Sequence, residues 1–263
     1  MTEIAPDNST IAPFALASQS SPRVAGSGRF WALIPCAGRG TRTGSALPKQ
    51  YQPVAGRALV LHTLAAFAGV PQLAHTLVLL APHDAWFAQL DLTPTAGCSA
   101  VECGGTTRAG TVTNGLAALR ARGAADQDWV LVHDAARCLV TPALIERLID
   151  ACRDDPVGGL LATPASDTVK RVAADRVAQT VDRSLYWLAQ TPQMFRLAAL
   201  EHAMHAAGDS VTDESSAIEA QGQEPRLVPG ERANFKVTVA QDFILAEAML
   251  LARARTTDEE GPR

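Results

Sequence analysis

The residues best able to do chemistry lie in one glycine-rich run. It reads Pro35-Cys36-Ala37-Gly38-Arg39-Gly40-Thr41-Arg42-Thr43-Gly44 and resumes as Leu47-Pro48-Lys49-Gln50-Tyr51. Glycine lets a backbone come close to phosphate oxygens and turn its N–H groups toward them. Arg42 and Lys49 are two cations that could converge on the same anion, so the run reads as a loop for a triphosphate. A Walker A loop needs G-x-x-x-x-G-K-[ST], which is absent. A dinucleotide fingerprint needs G-x-G-x-x-G, and Gly38-x-Gly40-x-x-x-Gly44 misses its last spacing. A kinase loop would bring kinase catalytic motifs, and the chain has none. The spacing leaves one bland alternative, a tight strand-to-helix turn carrying surface cations.

Lysine usage adds to the question. Lys and Arg number 23 together, yet only Lys49, Lys170 and Lys236 are lysines. A chain that uses arginine for nearly every cation can keep lysine where a compact point charge is wanted; codon bias is the alternative. Asp134 ends an apolar run, where a lone carboxylate serves as a helix N-cap or a metal ligand. At the carboxyl end of a sheet, beside a triphosphate, it would hold Mg²⁺ directly or through water. His133 beside it reads as a packed or hydrogen-bonded histidine. Arg137 would hold a phosphate or a structural carboxylate. Gly104, Gly105, Arg108 and Thr111 open a helix after a short strand, and an ordinary glycine turn would look the same.

These residues need a scaffold, and the pattern around them supplies one. Residues 30–35, 76–81 and 129–133 are short, rich in Val, Leu and Ile, and bounded by turn residues, as buried strands are. Helical patterns occupy 59–67, 107–122, 142–153, 197–207, 213–221 and 241–253, and Thr141-Pro142 is an N-cap followed by proline at the first helical position. Strands alternating with helices imply an α/β fold: a Rossmann-like, mostly parallel sheet covered by helices on both faces, with its ligand at the carboxyl ends of the strands. Residues 158–162 add a strand. Residues 168–172 and 177–181 then form a hairpin joined by 173–176. Such a protruding arm is unstable alone and needs a partner, most economically a second copy of the chain.

Composition narrows the classes. A chain of 263 residues with 47% apolar content can bury a substantial core in a single domain, here over 29–255, with the arm within 158–183. Residues 1–28 read as a disordered or loosely attached extension and 256–263 as a flexible tail. The net charge of -4 argues against a nucleic-acid binder, and no apolar run is long enough for a membrane span. Five cysteines without a C-x-x-C pair disfavour a disulfide framework or a zinc site. The N-terminus does not read as a secretory signal, so the cytoplasm is the expected location.

Pro35-x-Ala-Gly-x-Gly-x-Arg42 followed by Pro48-Lys49-Gln50-Tyr51 resembles the signature of the sugar nucleotidyltransferases, and most closely the 2-C-methyl-D-erythritol 4-phosphate cytidylyltransferases. The resemblance continues in order through Gly104-Gly105-x-x-Arg108, Val132-His-Asp134-Ala-Ala-Arg137, Asp167-Thr168-x-Lys170, Thr180-Val-Asp-Arg183, Gln190-Thr-Pro-Gln193, Thr212-Asp-Glu-x-x-Ala217 and Asn234-x-Lys236-Val-Thr238. It implies transfer of CMP from CTP to 2-C-methyl-D-erythritol 4-phosphate, with release of pyrophosphate, in non-mevalonate isoprenoid biosynthesis. By family position the catalytic residues are Arg42, Lys49, Arg183 and Lys236. CTP would be bound by Pro35, Cys36, Ala37, Gly38, Gly40, Arg42, Lys49, Gly105, Arg108, Thr111, Asp134 and Ala135. The acceptor would be bound by Thr168, Arg183, Thr212 and Lys236. Asp134 would hold Mg²⁺ or another divalent cation. The resemblance also implies a homodimer whose arm crosses to the second subunit, so that active sites are shared. Lys170, two residues from Thr168, would serve the arm or the site.

Three positions depart from the family pattern. Cys36 replaces a small residue such as alanine, Thr106-Thr107 replace acidic or polar residues, and Cys138 replaces a proline. Cys36 is expected to be tolerated beside the phosphate loop, with alkylation blocking the site and CTP protecting the thiol. The alternatives are a cytidylyltransferase for another polyol phosphate, such as ribitol 5-phosphate, or a catalytically inactive nucleotide-binding protein. Retention of Arg42, Lys49, Asp134 and Lys236 argues against the inactive form.

Overall fold

The computed structural model describes residues 28–38, 47–93, 95 and 97–259. The expectations for 1–27, for Gly40, Arg42 and Gly44, and for the last four residues lie outside that set. Strand β1 (Phe30–Pro35) has the expected bounds. A small two-stranded ribbon, β2 (Pro53–Val54) and β3 (Arg57–Ala58), leads into helix α1 (Leu59–Ala68). Then come β4 (Leu73–Leu80), β5 (Cys98–Glu102), α2 (Arg108–Ala121) and β6 (Trp129–Val132). Thr107 caps α2 by accepting from the Gly110 amide, and Thr141 caps α3 (Pro142–Cys152) by accepting from the Leu144 amide, with proline in its first turn.

Strand β7 (Gly158–Pro164) leads to the arm, β8 (Lys170–Ala173) and β9 (Arg176–Thr180). The expected four-residue connection is tighter. Ala174 and Asp175 alone make the turn, with φ of 47° and 59°. Two consecutive positive φ values match the right-handed twist of the flanking strands. The chain returns through β10 (Trp187–Arg196), α4 (Leu197–Ala207), α5 (Glu214–Glu219), β11 (Arg226–Pro229) and α6 (Ala240–Glu259). Helix α6 continues past the expected end at 253 into residues read as tail, because no glycine or proline interrupts it before Gly261.

The seven-stranded sheet has the order β11-β7-β10-β6-β1-β4-β5. All neighbouring pairs are parallel except the two made by β10, which is antiparallel to both β6 and β7. The mostly parallel α/β expectation therefore holds with one reversed strand. Alternate residues of β1 face opposite cores: Ala32 and Ile34 pack with α1 and α3, while Trp31 and Leu33 pack with α2 and α4. Both faces are covered, as continuous apolar strands require. Helix α6 seals a third cluster around Leu59, Leu139 and Val237. Gly158, at φ +108°, lets β7 start against β10, because a Cβ there would lie 2.2 Å from the Met194 carbonyl oxygen.

Candidate active site

Strand β1 continues to β4 on one side and the chain later returns to β6 on the other. The crevice beyond the carboxyl ends of β1 and β6 is thus the switch point of the sheet, where open α/β folds place ligands. The Pro35–Gly38 segment leaves β1 there. Cys36 N–H donates to the Leu79 carbonyl and Gly104 N–H to the Leu80 carbonyl, each at 2.8 Å. The two glycine-bearing loops touch, since a Cβ on Gly104 would lie 2.4 Å from that of Ala37. Buried Gln50 donates to the carbonyls of Cys36 (2.8 Å) and Gly38 (2.9 Å), tying the far end of the loop to its start. The Lys49 ammonium donates to the Val237 carbonyl, which brings it to the strand-end region occupied by Lys236.

Asp134, one residue beyond His133 at the end of β6, is the centre of the site. Its Oδ1 accepts from Arg108 Nε at 3.0 Å, its Oδ2 pairs with Lys236 Nζ at 2.9 Å, and Arg137 Nε lies 3.7 Å away. Burial alone would push this carboxyl up; Arg108, Lys236 and Arg137 outweigh burial and hold it well below the usual carboxylate range. Arg137 also donates to the Asn234 and Ala189 carbonyls, which hold it against Asp134. His133 is fully buried. It accepts from Thr191 at Nδ1 and donates from Nε2 to the Arg137 carbonyl, and burial pushes its pKa down to about 3. It is packed and hydrogen-bonded, as expected.

Arg108, expected to contact the nucleotide, is engaged by the protein on all three nitrogens. Besides Asp134, it makes a two-pronged pair with Glu214, NH1–Oε1 at 2.7 Å and NH2–Oε2 at 3.1 Å. Burial opposes its charge, but Glu214 and Asp134 secure it. Thr111 is buried too, and its hydroxyl accepts from the Gly105 amide and donates to the Thr107 carbonyl, shaping the Gly105 loop. Ala135 is buried beside Asp134, and its carbonyl accepts from Thr63.

The acceptor-side residues are divided. Lys236 is in the Asp134 cluster, and Thr212 is exposed just before α5. Thr168 and Arg183 are exposed on or beside the arm and share no hydrogen bond or ion pair with the cluster among the described residues. Arg183 donates to the Ser166 carbonyl, and Lys170 donates across the hairpin to Thr180 at 2.7 Å, so Lys170 serves the arm.

Of the departures, Cys138 is buried against Leu139 and Val237, and Thr107 is the α2 cap. Cys36 corrects an expectation. It is 2% exposed with its thiol against Tyr51, and burial pushes it up to about 12. It is a core residue whose thiol is covered by the protein itself. Sequence reasoning missed the roles of Glu214 and Gln50. Both lie inside quoted motifs, but only three-dimensional packing shows that Glu214 turns inward.

The family profile described as 2-C-methyl-D-erythritol 4-phosphate cytidylyltransferase (IspD) matches residues 30–252. A bifunctional IspD/IspF enzyme of Albidiferax ferrireducens is 61% identical over 226 residues, 86% of this chain; the chain spans 54% of that longer protein. A 2-C-methyl-D-erythritol 4-phosphate cytidylyltransferase of Burkholderia multivorans is 54% identical over 233 residues, covering 86% of this chain and 97% of the relative. The crystal structure of a 4-diphosphocytidyl-2C-methyl-D-erythritol synthase matches at a TM-score of 0.75 and 37% identity, over 85% of this chain and 98% of the other.

Proposed function

The chain belongs to the 2-C-methyl-D-erythritol 4-phosphate cytidylyltransferase family, and we propose that the Asp134 cluster is where it holds the triphosphate of CTP. It is a cytidylyltransferase: CMP moves from CTP to 2-C-methyl-D-erythritol 4-phosphate, and pyrophosphate leaves, in isoprenoid biosynthesis. The observation that carries the residue assignment is the convergence of Arg108, Arg137 and Lys236 on one carboxylate at the switch point of the sheet. With Lys49 alongside, the cations there outnumber Asp134 and Glu214, in a chain whose net charge is -4. That local surplus suits a triphosphate.

A phosphate oxygen of the acceptor attacks the α-phosphorus of CTP, opposite the departing pyrophosphate. No covalent enzyme intermediate is needed, so the protein's work is alignment and charge neutralisation. By family position, Arg42, Lys49, the Pro35–Gly38 segment, Gly40 and Gly105 are assigned to the triphosphate, and the Thr111-shaped loop to the base. Lys236, between Asp134 and the acceptor, pairs with Thr212, Thr168 and Arg183 to hold the acceptor phosphate. Mg²⁺, or another divalent cation, fits the donor set. It would take one carboxylate here and complete its shell with phosphate oxygens: Asp134 Oδ1 has Arg108 as its one described partner and keeps a lone-pair direction, whereas Oδ2 faces both Lys236 and Arg137. No group of three or more His, Cys, Asp or Glu side chains able to cage a metal occurs among the described residues, so the phosphates would supply most ligands. Held there, such a metal would supply positive charge to offset that of the phosphates.

A homodimer completes the acceptor half. Val172, Val177, Leu185 and Leu188 are exposed on or beside the arm, which supports docking of the arm on a second copy and delivery of Thr168 and Arg183 to its partner's Lys236. The cytoplasm suits five free cysteines, and no described helix is long and apolar enough to cross a membrane. Pyrophosphate release with CTP and a panel of polyol phosphates tests the acceptor: turnover with ribitol 5-phosphate but not with methylerythritol phosphate would overturn it. Mixing Arg42→Ala and Arg183→Ala chains tests the shared site. Partial recovery of activity is expected, and no recovery counts against the crossing arm.

A further inference from the structure

We propose that Glu214 is a positioning residue for the transfer: it takes both terminal nitrogens of Arg108 and so directs that guanidinium to Asp134 rather than to substrate phosphate. The inference rests on the triphosphate site described above. Glu214 is the first residue of α5 and has no exposed surface. It is not needed as a cap, because Asp213 and Ser216 already form a complete capping box. Its inward direction is imposed by β10, where Gln193 donates to Asp213 Oδ2 at 2.8 Å and accepts from the Ser215 amide at 2.7 Å. A carboxylate buried this completely is costly unless paired, and the two-pronged guanidinium contact is the geometry that satisfies it.

One guanidinium thereby joins three elements: α2, which begins at Arg108, the end of β6, and α5. Only Nε remains for Asp134. If Glu214 lost its charge, NH1 and NH2 would be released beside the triphosphate site, with geometry suited to two phosphate oxygens. Such contacts strengthen ground state and product alike, so they tighten binding without lowering the barrier. Meanwhile Asp134 would lose one of the three cations that orient it, keeping Lys236 and Arg137.

Glu214→Gln keeps the shape and removes the charge. The expected result is a fall in kcat of about 10- to 100-fold, the range for supporting groups around a charged centre. Calorimetry on metal-free protein should show pyrophosphate binding several-fold more tightly. Glu214→Asp should recover part of kcat. Arg108→Lys, which keeps charge but loses the fork, should lower kcat without tightening pyrophosphate, and adding Glu214→Gln to it should cost little more. A purely structural role would lower the melting temperature and leave kcat and pyrophosphate affinity at wild-type values, which overturns the proposal. Should Glu214→Gln fail to fold, Arg108→Lys decides, with wild-type kcat as the overturning result. Inactivity of the wild-type chain in the same assay would instead sink the triphosphate-site reading.

Discussion

The Asp134 cluster and the β8–β9 arm both carry cations expected to meet phosphate, but in opposite settings. In the cluster, Asp134 is buried, Glu214 and Asn234 have no exposed surface, and Arg108 and Arg137 each hold at least two partners. On the arm, every residue of both strands is exposed, and among the described residues the Arg183 and Lys170 side chains reach only arm neighbours. Preorganised charge in a dry site acts without reorganising when the reaction occurs. On the proposed reading, the nucleotide half is built within one chain, while the acceptor half depends on where the arm docks.

The sharpest test of that difference is Asp134→Asn. It should lower kcat by about 10²–10³, as loss of a preorganised charge contact does. It should also lower thermal stability, because Arg108, Arg137 and Lys236 would then face one another without a carboxylate between them. Steady-state kinetics and a thermal melt read both. Unchanged stability would mean that the cluster is no more integrated than the arm.

Arg183→Ala is the matching change on the other side. It should reduce kcat/KM for the acceptor by about 10²-fold if the arm delivers that charge to the site. CTP affinity and melting temperature should not move, since Arg183 is exposed and the one described contact of its side chain is the Ser166 carbonyl. A large loss of stability would break the contrast from the arm side. Val172→Asp combined with Val177→Asp should shift a dimer toward monomer in sedimentation while leaving CTP binding intact, because both valines are 63% exposed. A dimer unaffected by two charges on those strands would place its interface elsewhere.

The same contrast explains what could be read before folding. Strand β1 and helices α3 and α4 follow from local pattern: an apolar run of strand length, Thr141-Pro142 at a helix start, and a 3.6-residue period. Strand β10 hides, because Gln190, Thr191, Pro192 and Gln193 interrupt its apolar run, and proline demotes a central-strand reading. Those polar groups are buried because each has a partner: Asp134 N–H donates to Thr191, and Gln193 grips the start of α5. Arg108 shows the limit for side chains. A cation near a phosphate loop suggests a phosphate partner, whereas its actual partners are carboxylates 26 and 106 residues away. Cys36 shows the same limit for reactivity, since its neighbours Leu79, Tyr51 and Asp84 arrive from other segments.

Cys36 yields a smaller effect that still bears on the nucleotide half. With burial pushing its thiol up to about 12, the thiolate fraction at pH 8 is about 10³-fold below that of a free cysteine. Below that pH labelling slows further. Iodoacetamide should therefore leave Cys36 unmodified in the folded enzyme and modify it after denaturation, with CTP making no difference. Rapid labelling that CTP suppresses would mean that the Pro35–Gly38 segment opens to solvent, and the nucleotide half would no longer count as preformed.

The smallest predicted effect lies at Thr107, where the two halves approach. Its hydroxyl caps α2 by accepting from the Gly110 amide at 2.9 Å and donates to Asp209 at 2.5 Å. Thr107→Ala should cost about 1 kcal/mol, the usual loss for a helix N-cap. In a chain of this size that lowers the melting temperature by ~2–4 °C. Arg108 and the Gly105 loop both hang on the first turn of α2, so the KM for CTP should rise modestly while the KM for the acceptor stays put. Thr107→Ser should restore both values by supplying the same oxygen. If Thr107→Ala instead raised the acceptor KM, the Thr107–Asp209 bond would be acting on the segment that leads to Thr212. The boundary between the prebuilt half and the arm-dependent half would then run through α2 rather than beyond it.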